Sequence, residues 1–174
     1  MRKGPKALLW SVVIGLALVT LVQWIMAFGG GEEPTADAKR MLFEASLFQV
    51  ELLAGHAAEA ASAATTGELD GLKQAAYSVE YTHARFASAV GEGVPELRSA
   101  GVLMEMLVRL QIGGERKLKP AEAEQLAAAA PYVSELHDAY AELYGEGGGV
   151  DRAAAERIRL ADEEIAAILE RGER

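Results

Sequence analysis

The 174-residue chain contains no cysteine, which excludes disulfides, thiolate metal sites and cysteine nucleophiles. Histidine is almost as scarce, with His56, His83 and His137 the only three. Familiar catalytic signatures are missing too: there is no Gly-x-Ser-x-Gly, no phosphate loop and no His-Glu-x-x-His. The few serines do not neighbour a histidine at a useful spacing. The glycine-rich breaks read as loops, because Gly91-Glu92-Gly93 puts an acid where a phosphate cradle would want none. No stretch alternates with period two for long enough to suggest a strand.

What is present is one long apolar run and much helical patterning. Ala7–Phe28 is 22 residues without a charge, bracketed by Trp10 and Trp24 near its ends. At ~1.5 Å per residue such a helix is about 33 Å long, enough to cross a hydrocarbon core of ~30 Å. The run is longer than a signal-peptide core, and its exit, Trp24-Ile25-Met26-Ala27-Phe28, is bulky where a cleavage site would be small. Arg2, Lys3 and Lys6 precede it and Glu32 and Glu33 follow it. The positive-inside rule then predicts a cytoplasmic tail at 1–6, a transmembrane anchor at 7–28, a hinge at 29–34 and an extracytoplasmic domain at 35–174, in a cell membrane. The first 31 residues carry +3, which leaves −12 for the remainder of a chain of net charge −9. A domain so acidic is repelled by nucleic acid.

The domain reads as all-α, a bundle of about five helices. Helix one is expected from the N-cap Thr35 to about Thr66, with Met41, Ala45, Phe48, Leu52 and His56 on its inner face. Helix two runs from about Glu68 to Val90 on a stripe of Leu72, Ala76, Val79, His83 and Phe86. Pro95 suits the first position of helix three, which ends near Ile112 and is the most apolar of the set. Pro120 opens helix four, whose stripe is Leu126, Ala130, Val133, His137, Tyr140 and Tyr144; Pro131 should bend it or delay its start. Asp151 caps helix five, with Ala154, Ile158, Ala161, Ile165 and Ile168 inward. The five tyrosines, Tyr77, Tyr81, Tyr132, Tyr140 and Tyr144, could form a ligand-binding surface, but aromatics at helical spacing are more often core.

A shift of 54 residues aligns Glu68–Ala100 with Glu122–Ala154 at 12 of 33 positions, including His83 with His137 and Gly91-Glu92-Gly93 with Gly145-Glu146-Gly147. The match implies a duplicated helical hairpin, about 68–112 and 122–171, with helix one joining the copies. Both glycine turns should then share a backbone course, and both histidines should point inward.

His56, His83 and His137 each fall on an apolar stripe. Three inward imidazoles in one layer would suit zinc, which takes three histidines and a water; the ordinary alternative is three hydrogen-bonded rings at the core boundary. Glu80-x-x-His83 has the spacing of a di-iron bundle, but Ser134 stands where the repeat requires the second glutamate.

The layout of short basic tail, single span and helical hairpins resembles the exterior bundles of bacterial chemoreceptors and sensor kinases. The acid-rich stretch Leu118–Leu143 resembles the N-terminal part of spore-germination membrane proteins of Gram-positive bacteria. These likenesses imply a tethered exterior helical domain, and no family is assigned from them. The sequence thus leads to a non-enzymatic, membrane-anchored module without a cofactor, for binding a protein partner or sensing at the envelope. The alternative is a zinc-binding bundle.

Overall fold

The computed structural model describes residues 35–145 and 147–171. The expected tail, anchor and hinge lie outside the described residues. Among those described, no helix is long and apolar enough to cross a membrane. Residues Pro34–Arg174 form one compact unit.

That unit is all-α. Its helices are α1 (Ala36–Ala60), α2 (Asp70–Val90), α3 (Arg98–Gln111), α4 (Pro120–Ala141) and α5 (Arg152–Arg171), with a 3-10 turn at Gly67–Leu69 before α2. Local chemistry places most helix starts. Thr35 Oγ1 accepts the Ala38 N–H at 3.2 Å. Pro120 opens α4, where the Lys119 N–H donates to Glu122 Oε2 at 2.8 Å. Asp151 Oδ1 accepts the Ala154 N–H at 2.8 Å at the start of α5. These contacts satisfy amides that have no partner within their own helix.

The helices close into a ring. α1 packs on α2 and α4, α4 on α5, α5 on α3, and α3 on α2. Each helix sends apolar side chains to the centre, where Ala57, Leu72, Leu103, Leu126, Val133 and Ile165 surround a void of about 10 Å³. A void so small and so apolar offers a water neither room nor partners. At one end of the ring Phe43, Phe86, Tyr140 and Tyr144 form an aromatic cluster. Phe43 stacks on Tyr140 at 5.9 Å and Tyr144 meets Phe86 edge-on at 5.5 Å.

At the other end two loops are laced together. The Thr66 N–H donates to the Arg116 carbonyl at 2.8 Å and the Leu118 N–H to the Ala64 carbonyl at 2.9 Å. Thr66 Oγ1, fully buried, accepts the Arg116 N–H at 3.1 Å. Gln111 Nε2 donates to the Thr66 carbonyl and to Asp70 Oδ1, both at 2.9 Å. Arg116 forks onto Glu122 with two bonds of 2.8 Å, which hold the Glu122 carboxyl below its usual pKa.

Several expectations need correction. The inner face of α1 is Phe43, Ser46, Val50, Leu53, Ala57 and Ala60. Met41, Phe48 and Leu52 are instead 70%, 54% and 38% exposed. The helix is apolar on two sides, and the side that places Phe43 in the aromatic cluster faces inward. α1 also ends at Ala60, because residues 64–66 turn to meet the 116–118 loop.

α3 starts at Arg98, not Pro95, for reasons given below. Its inner face is deeply buried, but Val108 and Ile112 are exposed. α4 continues through Pro131, which sits on its exposed side where the carbonyl one turn back is left to water. α4 then ends at Ala141, short of Tyr144. The two glycine turns also differ: Gly91 caps α2 with φ 87°, whereas α4 is capped by Glu142, Gly145 has no positive φ and Gly148 in the following turn takes φ 76°.

Leu107 is fully buried on α3. Leu107→Ala is expected to cost about 2–5 kcal/mol in urea unfolding, the usual range for such a truncation.

Candidate functional site

His83 is the buried histidine. Its Nε2 lies 2.8 Å from the Pro95 carbonyl and its Nδ1 2.9 Å from the Tyr140 hydroxyl. A carbonyl only accepts, so Nε2 carries the proton and Nδ1 accepts from the Tyr140 O–H. Burial lowers the His83 pKa, with the Pro95 bond and the nearby Asp162 charge opposing. Burial raises the Tyr140 pKa, so its hydroxyl stays neutral. Ser46 Oγ, fully buried against the same hydroxyl, reaches no hydrogen bond of good geometry.

Asp162 is a further buried titratable side chain of this region, and the sequence reading passed over it. It sits on α5 between the core residues Ala161 and Ile165. Its Oδ1 accepts the Ser99 N–H at 2.9 Å and its Oδ2 the Arg98 N–H at 3.1 Å. α3 has no side-chain cap of its own, so a residue from α5 supplies it. A lone acid on the apolar stripe of a helix was the available signal.

The other histidines are elsewhere. His56 is partly exposed on α1, with Nδ1 2.9 Å from Glu59 Oε2. Its ring lies over Gly71, where an added Cβ would meet it at 2.8 Å. His137 is partly exposed on α4 and holds its neighbour Asp138 at 3.1 Å. Among the described residues no three His, Asp or Glu side chains are placed to hold a metal ion, so the structure does not gather His56, His83 and His137. Nor do His83 and His137 share a burial, since Leu136 takes the core position beside His137.

The surface holds the other candidates. Met41, Phe48 and Leu52 line the outward side of α1, and Tyr77 and Tyr81 that of α2, where the Arg85 guanidinium lies 3.4 Å over the Tyr81 ring. A shallow groove of about 220 Å³ between α4 and α5 is lined by Tyr132, Leu160, Glu135 and Arg157. Arg157 is already engaged there by Glu135 and Glu142.

Comparison with protein families, with curated proteins and with solved structures finds no match. The candidate site is therefore read from its own geometry.

Two substitutions test the buried polar contacts. Asp162→Ala is expected to cost about 2–3 kcal/mol, because it removes charge-assisted bonds to two helix-start amides. Protonating His83 disfavours the folded state, since its folded pKa lies below the unfolded value of 6.5. Its contribution is complete above pH 6.5 and is lost as the pH falls through the folded pKa. Urea midpoints between pH 7.5 and 5 should fall less steeply in His83→Gln than in the parent chain.

Proposed function

We propose that this chain is a membrane-anchored, non-enzymatic helical module whose domain lies outside the cytoplasm and works by binding protein, in partner recognition or envelope sensing. One observation carries the reading: the buried His83 and Asp162 side chains are committed to the fold, while large apolar side chains point outward. Both nitrogens of His83 and both oxygens of Asp162 are used within the bundle. The central void is too small for a ligand. Met41, Phe48, Tyr77, Tyr81 and Ile112 are each at least half exposed, the side-chain types that anchor protein contacts. Anchoring rests on the apolar run 7–28 with basic residues before it and acids after it.

Reporter fusions after Arg174 test the topology. A reporter active only outside the cytoplasm should work there. It should fail once Arg2, Lys3 and Lys6 are moved behind the apolar run. Release of a shortened chain into the medium would show cleavage instead of anchoring.

A further inference from the structure

The outward side of α1 is patterned for another helix. Met41, Ala45, Phe48, Leu52 and Gly55 follow at intervals of four, three, four and three, the heptad spacing by which two helices interlock. All five are exposed, and none belongs to the set that packs inward. From Met41 to Gly55 the seam is about 21 Å long. An added Cβ at Gly55 would meet nothing within 4 Å, so a neighbour has room to come close.

We propose that this seam is a parallel interface between two copies of the chain. The flanking residues argue for that occupant and that direction. Glu44 and Glu51 lie along one edge of the seam, Gln49 and His56 along the other. In a parallel pair the edges meet crosswise, five residues apart. Glu44 then faces Gln49 of the second copy, and Glu51 faces His56 of the second copy. Glu44 then meets an amide donor, and the His56 ring, held by Glu59 through Nδ1 and lying over Gly71, puts no carboxylate opposite Glu51. In an antiparallel pair like edges meet, and Glu44, already engaged at 3.0 Å by Arg40 of its own helix, would oppose Glu51, two carboxylates against one guanidinium.

The chain before α1 points the same way. Seven residues separate Phe28, the end of the apolar run, from Ala36, the start of α1. Two copies anchored by that run would hold their α1 helices at high local concentration. That matters because a seam of about two heptads is short for an isolated coiled coil. The proposal rests on the anchored reading for this tethering alone.

The cysteine-free chain makes the test clean. Single cysteines are placed in the full chain, in membranes, at Ala45 or Leu52 on the seam and at exposed Ala167 on α5 as control. Under mild oxidation Ala45→Cys and Leu52→Cys should each give a disulfide-linked dimer, and Ala167→Cys only background. Adding Phe48→Glu should lower the dimer by at least about tenfold, a change of ~1.4 kcal/mol. Circular dichroism of the purified chain should stay unchanged. If it does not, Met41→Glu at the more exposed position takes its place.

No cross-link from the seam, or an equal one from Ala167→Cys, overturns the proposal. So does an adduct to a protein of different mass. A cross-link formed only when the Ala45→Cys and Leu52→Cys chains are mixed would show the antiparallel pair and overturn the parallel one. Fractionation of the same cells reads the anchor separately: cross-links in a soluble chain would sink the anchored reading and leave the seam.

Discussion

The Asp162 carboxylate at the start of α3 is the contact on which closure of the ring depends. α3 is the shortest α-helix among the described residues, packs on α2 and α5, and begins after Leu97, which offers no cap. An unpartnered carboxylate in that position would be costly. Here it receives two amides at the positive end of a helix dipole, so burial and helix start stabilise each other. His83 acts on the same junction from α2, holding the Pro95 carbonyl while Tyr140 of α4 saturates its other nitrogen. The start of α3 is thus set by three other helices. That is why Pro95, an acceptable first helical residue by local rules, lies outside the helix.

α1 answers to a different constraint. Its apolar residues form two stripes, and only one can face the ring. Aromatic packing through Phe43 favours the stripe that includes polar Ser46 and small Ala57 and Ala60. The larger residues Met41, Phe48 and Leu52 remain outside.

The helix count, the Thr35, Pro120 and Asp151 starts and the inner faces of α2 and α5 were legible, because each rests on local chemistry or on a single clean stripe. The face of α1 was not, since periodicity is blind to which of two stripes wins. Asp162 and the Thr66–Arg116 contacts join residues far apart in sequence, and although an acid on an apolar stripe marks Asp162, nothing local names the partners. His137 misled for a related reason. Its helical position is one residue off the core line, and Leu136 fills the place that alignment with His83 had assigned to it. The exposed stripe of α1 was visible as a pattern in the sequence, but its exposure came only with the fold.

The lacing between Thr66 and Arg116 joins residues 50 apart and encloses α2 and α3 in a loop. Many small exported domains close such a loop with a disulfide, which acts mainly by restricting the unfolded chain. Here hydrogen bonds alone hold it, and they vanish with the fold. The closure restricts the folded state alone and must be re-formed at every folding event. It is also indifferent to oxidant, reductant and thiol exchange, so the same knot ties on either side of a membrane.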